Sequence, residues 1–189
     1  MDQERLKRAV SEMIAAIGED ETREGLRETS RRIAEMYAEI FDGIERNPLD
    51  ELDAMFDTEG HQEMVILRNI PFYSMCEHHF LPFHGVAHVG YIPKDYLTGI
   101  SKIARVVQLL ARRPQMQERL TSQIADTLMQ GLKPTGVGVV IEAEHLCMTM
   151  RGVKKPGSRL VTSANRGTFR SQPVTRAEFM SLIRQDERR

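Results

Sequence analysis

Two stretches, GISKIARVVQLLARR (99–113) and QMQERLTSQIADTLMQGL (115–132), stand back to back in the middle of the chain, and both repeat apolar residues at helical spacing. Ile100, Ile103, Val107 and Leu110 mark one face of the first; Met116, Leu120, Ile124 and Leu128 mark one face of the second. Pro114 fits the first turn of the second helix. Strand-like sequence flanks the pair on both sides. EMVILRNIPFYSM (63–75) and GVAHVGYIP (85–93) precede it; VGVVIEAEHLCMTM (137–150) and SRLVTSAN (158–165) follow. Strand pairs separated by a helical pair predict an α+β fold, an antiparallel sheet with the helices packed on one face. The order is not βαβ repetition, so a Rossmann fold is not expected.

The outer segments are helical. Residues 2–17 place Leu6, Val10, Met13 and Ile17 on one stripe that Gly18 ends. A second helix runs from Ser30 to Phe41, with Ile33, Met36, Tyr37 and Ile40 apolar, Thr29 as N-cap and Asp42-Gly43 as its end. Residues 44–60, with Asn47-Pro48, read as a connecting loop, and Thr175 caps a last helix from Arg176 to Arg188.

A chain of 189 residues, 41% apolar and 28% charged, builds one substantial core rather than two. Its net charge of −1 speaks against a dedicated nucleic-acid binder. No apolar run approaches the roughly 18 residues that span a bilayer, and MDQERLKRAV lacks the apolar stretch of a secretory signal. The expected address is the cytoplasm. There, Cys76 and Cys147 are not expected to form a structural disulfide, so a metal or catalytic use gains weight.

In SMCEHHF (74–80), Cys76 and His79 stand in C-x-x-H spacing. A flat strand would send them to opposite faces, so a tight turn must bring both inward. By itself this is a weak signal. The second half strengthens it. If VGVVIEAEHLC is one continuous strand, Val137, Val139, Ile141, Ala143, His145 and Cys147 share a face, and the last two emerge together at its end. Two thiolates and an imidazole suit zinc. Three protein ligands leave a position open, as in catalytic zinc sites; a closed structural site would need a fourth, from His78 or His145. Open zinc lowers the pKa of water to about 7, and spare histidines then serve proton transfer. His84 and His88 read as a loop residue and a strand residue without an assigned role.

Taken together, SMCEHHFLPFHGVAHVGYIP, GISKIARVVQLLARRPQMQERLTSQIA and EAEHLCMTMRGVKKPGS resemble GTP cyclohydrolase I, and TREGLRETSRRIAEMYAEIF does so more weakly. The likeness runs from about residue 22 to the C-terminus. It implies a hydrolase acting on cyclic amidine C–N bonds. The reaction implied is hydrolytic opening of the guanine imidazole ring of GTP, release of C8 as formate, and closure to 7,8-dihydroneopterin triphosphate, the first step of pterin and tetrahydrofolate biosynthesis. It also implies the tunnelling fold in a homodecamer with active sites at subunit boundaries. Residues 1–60 would be an N-terminal helical region and 61–189 the catalytic region of one integrated domain.

Carried over by position, the resemblance implies one zinc ion per chain on Cys76, His79 and Cys147, with His78 and His145 catalytic. His78, beside a ligand, is suited to protonate N7 of the purine; His145 suits later proton shuttling, and the Ser101 hydroxyl the sugar rearrangement. Glu118, with Gln117 beside it, matches the position that accepts N1–H and the 2-amino group of guanine; alone, Glu118 would read as an exposed helix residue. No glycine-rich phosphate loop is present, so cations must hold the triphosphate: Lys102, Arg105, Arg151 (four residues after Cys147) and Arg32. Ser30 stands where the family usually has proline.

Three other readings compete. A nitrile reductase of the same fold uses a cysteine nucleophile without zinc, and the complete ligand set argues against it. A zinc nucleoside deaminase expects P-C-x-x-C, which is absent. A non-catalytic zinc-stabilised module that only binds nucleotide would leave His78 and His145 without purpose.

Overall fold

The computed structural model describes residues 1–184. Helix α1 (Gln3–Ala16) starts where the Asp2 carboxylate accepts the Arg5 N–H at 2.9 Å. It packs on α2 (Thr29–Ile40). The buried stripe of α1 is Val10 and Ile14; Met13 and Ile17, expected on it, are exposed. Likewise Ala34 is the buried contact of α2 and Met36 faces outward. Thr29 is the first helical residue rather than the cap. Glu28 holds the cap position without a side-chain bond, and Ser30 sits in the first turn.

The expected loop at 44–60 holds two elements. A 3₁₀ turn at Pro48–Glu51 is capped by Asn47, whose side chain accepts the Leu49 N–H. Strand β1 (Met55–Asp57) pairs antiparallel with β4 (Tyr96–Thr98). Between them run β2 (Val65–Cys76) and β3 (Pro82–Ile92), a long antiparallel hairpin. A bulge between Leu67 and Ile70 is absorbed by Asn69 in the left-handed region, which asparagine tolerates.

Helix α3 (Ile100–Ala111) follows. Pro114 does not open the next helix. Residues 114–115 form a short strand β5, parallel to the end of β2, with Met75 opposite Pro114 and Cys76 opposite Gln115. Proline has no N–H to donate, which suits such an edge. Helix α4 (Gln117–Leu132) then runs back along the sheet, and β6 (Gly136–His145), a short helical turn α5 (Leu146–Thr149), β7 (Leu160–Gly167), α6 (Thr168–Ser171) and α7 (Pro173–Ile183) complete the chain. Gln172, not Thr175, caps α7; the Thr175 hydroxyl donates to the Gln172 side chain instead. The expected extension to Arg188 ends outside the described residues.

The main sheet has the order β5-β2-β3-β6-β7, its four long strands antiparallel. Helices α3 and α4 lie on one face and seal the principal core, in which Ile103, Val107, Leu110, Leu120, Ile124 and Leu128 meet Phe72, Phe83, Val89, Val139 and Ile141. This is the α+β layout expected, an antiparallel sheet with a helical pair on one face, with one addition. Helices α6 and α7 bring Phe169 and Phe179 to the opposite face of the sheet, around Val140. Gly90 and Gly138 make room for them. A Cβ at Gly90 would lie 2.9 Å from the Phe179 ring, and one at Gly138 would lie 2.6 Å from that of Phe169.

Candidate active site

The strands of the main sheet deliver the site to one end. On β2, Ile70, Phe72, Ser74 and Cys76 alternate inward, and the strand ends at Cys76. The chain then turns tightly. The Phe80 N–H donates to the Cys76 carbonyl at 2.9 Å and the Cys76 N–H to the Leu81 carbonyl at 2.9 Å, so His79 swings back toward Cys76. Phe80 accepts a left-handed φ of 51° to close this loop, and its ring meets Phe41, at the end of α2, edge to face. The expected inward turn is present.

Cys147 arrives by a route the spacing did not predict. Strand β6 stops at His145, and Cys147 lies in the helical turn α5, not on the strand face. The result is the same convergence. Cys76, His79 and Cys147 each bring a potential ligand atom within 4.8 Å of the other two, and among the described residues this is the cluster able to share an ion. Neither His78 nor His145 belongs to that group, which numbers three residues, not four. The donor set fits a thiophilic dication. The Cys147 thiol is pushed up by burial and by neighbouring Cys76, two groups that oppose each other's ionisation until a cation is shared.

Arg151 was expected on a continuous strand face. It reaches the site instead from the bend just past α5; its Nη1 is 3.4 Å from His79 Nε2. His78 is exposed, with Nδ1 3.8 Å from Cys76 Sγ.

The strongest local order surrounds His145. The β3–β6 register puts it opposite Phe83, whose fully buried ring stacks on the imidazole at 4.5 Å and within 1° of parallel. Its Nε2 lies 2.8 Å from Gln117 Oε1. Gln117, 1% exposed, has its amide nitrogen aimed at the carbonyls of Ile141 (3.1 Å) and Leu160 (3.0 Å) and at the Thr162 hydroxyl (3.1 Å). Carbonyls only accept, which fixes that end as the amide nitrogen and leaves the oxygen facing His145. His145 therefore carries hydrogen on Nε2 and keeps Nδ1 free. Burial holds its pKa below the usual histidine range, while the negative Glu118 pulls the other way.

Gln117, expected at the guanine beside Glu118, thus faces inward to His145, while Glu118 is exposed on the first turn of α4. The remaining expected residues lie elsewhere. Ser101 and Lys102 begin α3, whereas the cluster sits beyond its other end; ten residues of helix put roughly 15 Å between them. Lys102 is paired with the Asp53 carboxylate. Arg105 lines a cleft of about 210 Å³ with Arg46, Glu51 and Arg112, and Arg32 is exposed on α2. His84, taken for a loop residue, is on β3 and stacks on Tyr73. Sequence reasoning missed Phe83, which only the strand register identifies. It also missed Arg119, whose guanidinium forks onto Glu77 and holds that carboxyl below the usual range.

The family model for GTP cyclohydrolase I matches residues 6–184. The chain belongs to the GTP cyclohydrolase I family. A GTP cyclohydrolase 1 from Dehalococcoides mccartyi is 59% identical over 186 residues, covering 97% of this chain and 98% of the relative. Those of Carboxydothermus hydrogenoformans (59%, 97% and 95% covered) and Pelotomaculum thermopropionicum (60%, 97% and 97%) are similarly near. The solved apo structure of an archaeosine synthase QueF-Like matches at TM-score 0.46 and 18% identity, over 55% of this chain and 93% of that one. Among the described residues no helix is long and apolar enough to cross a membrane.

Proposed function

We propose that this chain carries out the reaction of its family: hydrolytic opening of the guanine imidazole ring of GTP, with release of formate and formation of 7,8-dihydroneopterin triphosphate. The observation that carries the reading is the convergence of Cys76, His79 and Cys147 with His78, His145 and Glu118 at one end of the sheet.

One zinc ion per chain suits this donor set; when bound, it supplies Lewis acidity and brings the pKa of water toward about 7. The chain's own residues do the rest. The Glu118 carboxylate accepts N1–H and the 2-amino group of guanine, a pair that adenine cannot offer, which discriminates against ATP. His78, exposed at the surface beside His79, donates a proton to N7 and makes C8 electrophilic. His145 is neutral near pH 7 and holds a free Nδ1, so it accepts and returns protons as the ring opens and the sugar rearranges. Gln117 fixes its tautomer.

Arg151 meets the triphosphate beside the ion. Ser101 and Lys102, at the far end of α3, Arg105, midway along it, and Arg32, on α2, serve the site of an adjoining subunit. That division supports a homo-oligomer, a decamer by family, with GTP bound at subunit boundaries. The enzyme works in the cytoplasm at the entry to pterin and tetrahydrofolate synthesis, without nucleic-acid or membrane partners.

Incubating metal-replete protein with GTP and assaying formate together with the oxidised, fluorescent pterin tests the reading. Both products are expected, in equal amounts. Cys147→Ala is expected to lose bound zinc and turnover together; retained turnover would remove the metal centre from the reaction.

A further inference from the structure

Five residues, Cys76 to Phe80, supply two of the three ligands and His78. Four residues of the following segment, Met116 to Arg119, supply Gln117 and Glu118. Nothing covalent or metallic keeps these two groups in register, yet guanine held on Glu118 must present C8 to the ion and N7 to His78. Beside the backbone pairing of β5 with the end of β2, one side-chain interaction spans the gap. Both guanidinium nitrogens of Arg119 engage both carboxylate oxygens of Glu77, Nη2 to Oε1 at 2.9 Å and Nη1 to Oε2. Arg119 is steadied by Met116 Sδ at 3.6 Å, and the Glu77 backbone N–H donates to the Gln115 carbonyl at 3.0 Å. Glu77 is therefore tied to the 115–119 segment at both main chain and side chain.

We propose that Glu77 and Arg119 are positioning residues, whose two-pronged ion pair sets the loop bearing His78 and His79 against the helix start bearing Gln117 and Glu118. This rests on the function proposed above. A fork fixes orientation as well as distance. The pair is also partly exposed, with 27% of the Glu77 side chain and 43% of that of Arg119 accessible, and such pairs contribute little to global stability. Its removal should disturb alignment rather than folding. The pair has an electrostatic side too: Arg119 cancels a negative charge set between two residues that must meet a tetra-anionic substrate.

The test is a double-mutant cycle of Glu77→Gln and Arg119→Gln in the zinc-loaded full chain. Each single variant is expected to lower kcat about tenfold, since misalignment of this kind is costly to rate, with KM for GTP within about twofold of the parent. Zinc content and melting temperature should stay at parent values. The double variant should be no worse than the worse single, because the two residues act as one unit. Independently of turnover, the Glu77 and Phe80 amides should exchange hydrogen faster in each single variant. Unchanged kcat, a change confined to KM, additive losses, losses that track zinc or melting temperature, or unchanged amide exchange would each overturn the proposal. A parent protein that makes no pterin from GTP would instead remove the proposed function, and the exchange measurement would still decide whether the pair holds the loop.

Discussion

His78 and His145 differ by environment rather than by chemistry. His145 is stacked on Phe83 and tied to Gln117, so its tautomer is set and its charged form disfavoured. His78 is exposed and stands outside the ligand group. His78→Ala is therefore expected to keep its zinc, measured by elemental analysis, and to lose turnover by about 10²–10⁴-fold, the usual weight of a general acid. Metal loss would make it a ligand instead. A third histidine reports on stability. His88 is buried on β3, its Nδ1 accepts the Asn69 N–H at 3.3 Å, and burial lowers its pKa, with Glu142 opposing and Arg68 reinforcing. A lowered folded-state pKa means that the unfolded chain takes up the proton first. The contribution is thus complete above the unfolded value of about 6.5 and is lost as pH falls from there through the folded value. Melting temperature should drop more between pH 7.5 and 5.5 in the parent than in His88→Gln.

At the scale of elements, strand pairing places the chemistry. Gly85 on β3 faces Ala143 on β6, two positions from the Phe83–His145 pair. An added Cβ would come within 2.7 Å of the Ala143 Cα and press on the Glu142 carbonyl, both main chain and unable to yield. Gly85→Ala is expected to destabilise by about 1–3 kcal/mol, read from chemical denaturation, and to reduce turnover through His145. Much of this level was legible in advance. The helical pair, the strand pairs around it and the two halves of the cluster follow from periodicity and spacing. The misreadings share one cause. Extrapolating β6 through Cys147 assumed that period two continues, and reading Pro114 as helical assumed that proline before a helical stripe belongs to it. At Pro114 a backbone partner outside the segment decided, since β5 pairs with the end of β2; at Cys147 the chain simply folds into α5 as β6 ends.

For the whole molecule, Ser101 and Lys102 stand at the opposite end of α3 from the Cys76–His79–Cys147 cluster, so under the proposed function one chain is an incomplete catalyst. Among the described residues the outer edge of β7 is also unpaired, and β5 covers only the last two residues of β2; open edges of this kind invite a second chain. Two inactive variants, Cys147→Ala and Lys102→Ala, are expected to regain activity when co-expressed, because mixed oligomers contain sites with both halves intact. Absence of recovery, with mixing verified by mass, would confine the site to one chain. The linear sequence by itself determined which residues have the donor chemistry to hold an ion or carry a proton, since donor chemistry and local period belong to residues and their near neighbours; a guanine contact at Glu118 came only with the family resemblance. Only the tertiary structure decided that Phe83 and Gln117 govern His145, that Arg119 grips Glu77, and that Ser101 and Lys102 stand at the opposite end of α3 from the cysteine–histidine cluster while Arg151 stands beside it. Those relations join residues dozens of positions apart, through register and packing that no local pattern encodes.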